Sequence, residues 1–86
     1  MPILHQVMAS EPHLLKQLSQ VISSEDSVIF LGDGCYQLSR WSLANSTFTI
    51  TEDLAMRGLE NTAAKSITSQ DWVNMTLSHT NVMTWK

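Results

Sequence analysis

Cys35 carries the most reactive side chain in this sequence of 86 residues, and it is the only cysteine. It directly follows the turn Gly32-Asp33-Gly34, where a second helix is expected to begin. The amino terminus of a helix stabilises a thiolate and can lower the pKa of a cysteine below its usual value of about 8.5, as a nucleophile or a persulfide carrier requires. Cysteine is also among the most commonly buried small residues, and the carboxylate of Asp33 would oppose the helix dipole. The local sequence leaves both a reactive thiol and a structural thiol open.

The turn Gly32-Asp33-Gly34 lies between an apolar strand and that helix, which is the position of phosphate-binding turns in α/β proteins. It lacks the third glycine of a dinucleotide-binding fingerprint and the Lys-Ser/Thr pair of a P-loop. The pattern therefore favours a tight strand-to-helix turn in which Asp33 caps the helix. Because ligand sites gather at the carboxyl ends of parallel strands, the turn also marks the sheet edge where a site is expected.

The other residue types argue against several kinds of chemistry. His5, His13 and His79 lack the spacing of metal ligands, and no Gly-x-Ser-x-Gly segment supports a hydrolase. We interpret His5 as a hydrogen-bonded structural residue in a strand, and His79 as a favourable charge at a helix end. We expect no metal and no cofactor, and a self-contained enzyme is not indicated.

Charge and hydropathy give expectations about location and partners. Eight acidic and five basic residues give a net charge of -3, and the basic residues are scattered, so the chain offers no basic patch for direct nucleic-acid binding. No apolar run approaches the roughly 20 residues of a membrane helix, and the start of the sequence does not resemble a secretory signal. A single free thiol suits a reducing compartment. We expect a soluble cytoplasmic protein whose three tryptophans and five methionines fill the core or face a partner.

Strand and helix patterns alternate along the chain. Strands are predicted at 3–8, 27–31, 47–51, 66–68 and 82–85, and helical segments at 12–22, 35–44, 52–58 and 68–79. The strand at 27–31 is an uninterrupted apolar run, which is typical of a parallel strand covered on both faces. The last helix is expected to bury Val73 and Leu77. The sequence predicts one α/β domain over residues 1–86, a small three-layer fold with a mainly parallel sheet flanked by helices.

The segment from Glu52 to Gly58 is ordered like a capped helical turn. Two acidic residues open it, Arg57 lies in its last turn, and Gly58 supplies a left-handed C-cap, all of which complement the helix dipole. We interpret the stretch from Asp53 to Arg57 mainly as a signature of the fold, in which Arg57 pairs with a neighbouring acid.

These pieces together resemble a known family. The early Ile3-Leu4-His5 strand, the Asp33-Gly34 pair after an apolar strand, and the Glu-Asp-Leu-x-x-Arg-Gly-Leu segment ending at Leu59 occur in this order. The tail adds an Asp-Trp-Val segment, a histidine, and a terminal Met83-Thr84-Trp85. Over nearly its whole length the chain resembles the TusB/DsrH family of sulfur-relay proteins, in the DsrE-like superfamily.

The resemblance implies a role in a relay. Family members of this type assemble with TusC-like and TusD-like paralogues in a heterohexamer that passes persulfide sulfur through a TusE-like acceptor toward 2-thiouridine at the tRNA wobble position. The sulfur-bearing cysteine lies on the TusD-like subunit, so the resemblance implies a non-catalytic subunit without direct nucleic-acid or membrane contact. The resemblance does not give Cys35 a sulfur-carrying role, because the position after Asp33-Gly34 is usually aliphatic in the family. The DsrH proteins of sulfur oxidisers carry a cysteine in their first helix, and the corresponding stretch here, from Leu14 to Ile22, has none.

Residue roles follow as hypotheses. We expect Asp33, Gly34, Asp53, Arg57 and Gly58 to be signatures of the fold or of an interface. Met83 and Trp85 are expected to anchor the terminal strand or an interface. Two alternative functions remain open: a direct sulfurtransferase that carries a persulfide on Cys35, and a stand-alone homo-oligomer of the DsrE-like fold.

Overall fold

The computed structural model describes residues 2–41, 45–59 and 64–86, and strands and helices alternate through them. In chain order the elements are β1 (Ile3–Val7), α1 (Pro12–Val21), β2 (Ser27–Phe30), a 3₁₀ helix (Gly32–Arg40), β3 (Ser46–Ile50), α2 (Thr51–Met56), β4 (Lys65–Ile67), α3 (Ser69–Ser78) and β5 (Asn81–Trp85). No helix in these described ranges is both long and apolar enough to cross a membrane. The polar segment 60–65 is predicted from the sequence to be a loop. Residues 60–63 lie outside the described ranges, and Lys65 belongs to β4.

The five described strands form one sheet in the order β4-β3-β2-β1-β5, and every neighbouring pair is parallel. The α/β fold with a mainly parallel sheet is thereby confirmed. The central strand β2 agrees with the uninterrupted apolar run that predicted it, because Val28, Ile29 and Phe30 are all fully buried. A strand covered on both faces has no solvent side, and its sequence therefore carries no polar alternation.

The direction of the connections places the helices on two faces. From β1 to β4 the chain moves one way across the sheet, and from β4 to β5 it returns past β1 to the other edge. Right-handed crossovers then put α1, the 3₁₀ helix and α2 on one face and α3 on the opposite face. Two buried clusters agree with this: one joins Leu18, Leu38 and Leu54 to the sheet, and the other is covered by Trp72 and Met75 of α3.

The predicted second helix at 35–44 is corrected in type and in bounds. It is a 3₁₀ helix that begins at Gly32 and ends at Arg40, and residues 42–44 lie outside the described ranges. Cys35, Leu38 and Trp41 are all buried, three residues apart. A spacing of three keeps side chains on one face of a 3₁₀ helix, whereas an α-helix would rotate the third residue away. The ring of Trp41 then meets Phe30 edge-on, with centroids 5.6 Å apart.

The segment Ser10-Glu11-Pro12 predicts a serine cap for the first helix, and the start of α1 differs from this prediction. The N-cap residue is Glu11, with no side-chain capping bond, and Pro12 occupies the first turn. Stabilisation comes instead from Gln37 of the 3₁₀ helix, whose side-chain Nε2 donates hydrogen bonds to the backbone oxygens of Ala9 (2.8 Å) and Glu11 (2.9 Å). Gln37 is fully buried, so this contact fixes the β1–α1 connection.

The expectation that α3 buries Val73 and Leu77 is wrong. Val73 is exposed and Leu77 is 79% exposed, while Trp72 and Met75 pack onto the sheet. The indole Nε1 of Trp72 donates a 2.8 Å hydrogen bond to the Gln6 side chain in β1, so the polar edge of the ring is satisfied against the sheet. This leaves Val73 and Leu77 as an exposed apolar ridge along one flank of α3, defined here as the α3 ridge.

Candidate functional site at the carboxyl edge of the sheet

A cleft of about 260 Å³ opens where β1, β2 and β3 end, at the sheet edge where the sequence predicted a site. Its walls come from these strand ends and from the first turns of α2 and α3; the lining residues are Met8, Leu31, Gly32, Ile50, Asp53, Ser69 and Trp72. The described lining is mainly apolar, and Asp53 is the one ionisable side chain in it. None of these described lining residues supplies a thiol, imidazole or amine as a nucleophile.

Gly34 brings the Gly32-Asp33-Gly34 turn directly against the end of β1. A Cβ atom at Gly34 would lie 1.9 Å from the backbone oxygen of Val7, which only glycine can avoid. Gly32 has φ +53°, in the left-handed region that favours glycine. The turn is therefore determined by backbone packing and conformation, which makes its glycines structural.

The carboxylate of Asp53 and the guanidinium of Arg57 tie α2 to that turn. Asp53 Oδ2 accepts the Gly32 N–H at 2.9 Å. Arg57 donates to Asp33 Oδ1 through Nε at 3.3 Å and Nη2 at 3.2 Å, and to the backbone oxygen of Asp53 through Nη1 at 3.2 Å. The hypothesis that Arg57 pairs with a neighbouring acid is confirmed, whereas Asp33 does not cap the 3₁₀ helix, which has no side-chain cap.

Gly58 ends α2 as expected, with φ +62°. The N–H of Leu59 donates to the backbone oxygen of Leu54 at 3.0 Å, and that of Gly58 donates to Ala55 at 3.2 Å. These two bonds form a Schellman cap, for which a left-handed residue at the position of Gly58 is required. Asp53 therefore forms part of one wall of the cleft, and Gly58 ends α2.

We expect Arg57→Ala to lower the free energy of unfolding by about 1 kcal/mol, since the Asp33 side of the pair is largely exposed. In a domain of this size that corresponds to a melting temperature about 4–8 °C lower. Adding 1 M salt should weaken the wild-type ion pair and narrow the difference. Arg40→Ala, which removes one exposed hydrogen bond to Ser10, is the matched control. An unchanged melting temperature in Arg57→Ala would show that the pair contributes nothing.

Cys35 lies inside the fold, away from the cleft lining. It is 2% exposed, and its Sγ is 3.6 Å from both the backbone oxygen of Phe30 and Thr49 Oγ1. Burial raises the pKa of the thiol, and the negative charge of Asp53 adds to this, while the hydrogen bond with Thr49 and the charge of Arg57 oppose it. The expected effect of a helix amino terminus is therefore outweighed, and the geometry favours the structural thiol over the reactive one.

We expect Cys35 to resist a disulfide-forming thiol reagent in the folded chain and to react as the chain unfolds in urea. The rate in the native state should be lower than that of an exposed thiol by about a hundredfold or more, because the thiolate is the reacting species and reaction requires local opening. Met56→Cys provides the exposed comparison, since Met56 is 81% exposed on α2. Equal rates for the two thiols would contradict the burial described here.

The terminal strand is held by a polar network that runs along β1 from Trp85 through His5 to Asp26. The indole Nε1 of Trp85 lies 3.2 Å from His5 Nδ1, and His5 Nε2 lies 2.9 Å from Asp26 Oδ2. Since the indole can only donate, Nδ1 accepts and Nε2 carries the proton that is donated to Asp26. His5 is thus the structural residue that the sequence predicted, and Trp85 anchors β5. Met83 is exposed and takes no part in this network.

Asp26 is a buried residue whose structural role the sequence analysis missed. Burial alone would raise the pKa of its carboxyl group, but hydrogen bonds from His5, Ser23 and the Ile3 N–H lower it well below the usual range. The distances are 2.9 Å to His5 Nε2, 2.9 Å to Ile3 N, and 3.1 and 3.0 Å to Ser23 N and Oγ. Asp26 follows Glu25 in a polar connection before an apolar strand, and nothing in that pattern distinguishes the two acids.

Metal chemistry finds no support in the described ranges, where no group of three His, Cys, Asp or Glu side chains could hold a metal ion. The described residues form a small α/β domain with an apolar cleft and a buried thiol. Residues 9–82 match the family model described as DsrH like protein, which covers most of the chain. The chain belongs to the DsrH-like family of sulfur-relay proteins. No curated protein matches the sequence significantly.

Proposed function

We propose that the chain is a non-catalytic subunit of a sulfur-relay complex that passes persulfide sulfur toward 2-thiouridine at the tRNA wobble position. Its partners are TusC-like and TusD-like paralogues in a heterohexamer, and a TusE-like protein accepts the sulfur. The complex acts in the cytoplasm. Family membership supports the relay, and the acidic net charge suits a subunit that does not itself bind tRNA.

The burial of Cys35 is the observation that carries the non-catalytic role. In persulfide transfer, an acceptor thiolate attacks the outer sulfur of a donor persulfide; one S–S bond forms, another breaks, and the donor leaves as a thiolate without net oxidation. The acceptor must therefore be ionised and reachable. Cys35 is 2% exposed and its pKa is raised by burial, so the sulfur carrier belongs on another subunit.

Intact mass spectrometry tests this role. The chain, with and without its two paralogues, is exposed to a cysteine desulfurase, cysteine and the TusE-like carrier. Among the three subunits of the complex, we expect the mass of one added sulfur on the TusD-like subunit only, and transfer to the TusE-like acceptor should continue when this chain carries Cys35→Ala. Added sulfur on Cys35, with transfer lost in the variant at unchanged circular dichroism, would replace the proposal with the direct sulfurtransferase.

The α3 ridge is the surface that suits a paralogue. Val73 and Leu77 lie one helical turn apart, and covering Leu77, which is 79% exposed, would remove apolar surface from water. We expect Leu77→Asp to reduce the yield of the complex on co-expression by about tenfold or more without changing the melting temperature of the isolated chain. Gln70→Asp, an exposed change on the same helix, is the control. Normal assembly of Leu77→Asp would contradict this use of the α3 ridge.

A further inference from the structure

The outer edge of β5 is open within the described part of the chain. β5 pairs with β1 along its inner edge, and no other described strand pairs with it. The backbone oxygen of Trp85 points inward, because it accepts the Met8 N–H at 2.9 Å. Backbone polar groups alternate in direction along a strand, so the N–H and C=O groups of Val82 and Thr84 point outward. Such groups form a template for pairing with another strand.

Within Asn81–Trp85 this edge has no charged residue or proline that would discourage pairing, and Lys86 follows the strand. The sequence from residue 72 to residue 85 contains no Asp, Glu, Lys, Arg or proline. Val82 is 41% and Met83 45% exposed, on opposite faces of the sheet. The opposite edge strand, β4, is only three residues long and includes Lys65. Natural sheet edges are usually protected by charge, proline or shortness, and β5 is therefore suited to being covered.

We propose that β5 pairs with β5 of a second copy of this chain, antiparallel about a two-fold axis. Each copy carries a net charge of -3, so two copies repel one another over most of their surfaces. Residues 72–85, which form most of α3 and all of β5, contain no Asp, Glu, Lys or Arg. Two copies can therefore meet along this stretch without bringing like charges together. This inference goes beyond the proposed function and does not rest on it.

The outward direction of Val82 and Thr84 defines the register. Val82 of one copy lies opposite Thr84 of the other, and each such pair exchanges two N–H···O bonds, which gives four bonds across the axis. The two Met83 residues meet on the axis as a non-hydrogen-bonded pair, with Cα atoms roughly 4.5 Å apart. Their exposed side chains cover each other, and the two sheets become one continuous sheet.

Disulfide cross-linking tests this register. Two cysteines at position 83 would have Cα atoms within the range that a disulfide spans, whereas the Cα atoms at position 82 would be more than about 7 Å apart. We expect Met83→Cys to form a covalent dimer under mild oxidation, while Val82→Cys and the wild type, whose Cys35 is buried, remain uncrosslinked. Cross-linking at position 82 instead of position 83 would overturn the proposal.

Sedimentation of the full chain tests the dimer itself. A five-residue edge buries an area near the lower limit of specific interfaces, roughly 1,000 Å², so we expect a micromolar Kd. Val82→Pro removes only an outward N–H and should weaken the dimer about tenfold or more at an unchanged melting temperature. Met56→Lys, on α2, should dimerise like the wild type. A wild-type chain that is monomeric up to about 1 mM, or a dimer unaffected by Val82→Pro, would overturn the proposal.

Discussion

We expect Gly34→Ala to destabilise the chain by about 3 kcal/mol, with a melting temperature lower by about 15 °C. The added methyl group would lie 1.9 Å from the backbone oxygen of Val7, and the nearest atoms are all backbone, so no flexible side chain can move aside. Relief requires the turn to move away from β1, which would also strain the hydrogen bond between the Gly34 N–H and the Leu31 oxygen. Urea and thermal unfolding monitored by circular dichroism measure the loss.

Gly58→Ala is the matched control for this prediction. Gly58 has φ +62° but no atom within 4 Å of the position of its absent Cβ, so alanine there pays only for the left-handed conformation, about 1 kcal/mol. The two variants separate steric overlap from backbone conformation. If Gly34→Ala loses no more stability than Gly58→Ala, the contact between the turn and β1 is not the constraint described here.

The parts of the fold that the sequence predicted are those in which a local pattern has one solution. The apolar run through Val28, Ile29 and Phe30 specifies a strand buried on both faces, whatever covers it. The order of acids, Arg57 and Gly58 specifies a capped turn. The charged residues interact with the helix dipole, and Gly58 adopts the left-handed conformation that ends the helix. These predictions depend on neighbours within a few residues, which the sequence contains.

The wrong predictions concern features that tertiary contacts decide. In α3, both Trp72 and Val73 are apolar, and the helical period alone permits either to face the sheet. The hydrogen bond from the Trp72 indole to Gln6, 66 positions away, selects the buried face. In the 3₁₀ helix, the three-residue spacing of Cys35, Leu38 and Trp41 was a usable signal, but it differs from the α-helical period by too little to be decisive over two turns.

In the candidate site, too, the sequence predicted local features and missed those that tertiary contacts determine. The sequence predicts a site at the carboxyl edge, and it predicts that Asp33, Gly34, Asp53 and Arg57 are signatures of the fold or of an interface, because the pattern that these residues form is local. It gave no indication that Trp72 and Met8 complete the cleft. Trp72 is brought there by the return of the chain through α3, and Met8 by the pairing of β1 with β2. The sequence could show that Cys35 lies at a helix start, which lowers the pKa of a thiol. It could not show the burial of Cys35, which raises the pKa and is the larger effect.

The second large effect is expected from Asp26→Asn, which should lower the free energy of unfolding at pH 7 by about 3 kcal/mol. The asparagine side chain keeps one acceptor oxygen, but its NH₂ group faces donors among His5 Nε2, the Ile3 N–H and the Ser23 hydroxyl. When the NH₂ group lies opposite other donors in a buried site, neither side finds an acceptor, and these polar groups stay without hydrogen bonds. Thermal unfolding at pH 7 measures the loss, and Glu25→Gln, an exposed neighbouring acid, should behave like the wild type.

The same carboxylate predicts how the difference depends on pH. The folded-state pKa of Asp26 lies below the value of 3.8 expected for the unfolded chain, so the unfolded state takes up the proton first as the pH falls. The stability that ionised Asp26 contributes is therefore complete at neutral pH and is lost progressively below about pH 5. Asparagine does not titrate, so the gap between wild type and Asp26→Asn should narrow from pH 7 to pH 3. A gap that stays constant over this range would show that the hydrogen bonds of Asp26 do not favour its ionised form, and that its contribution to β1 is one of packing.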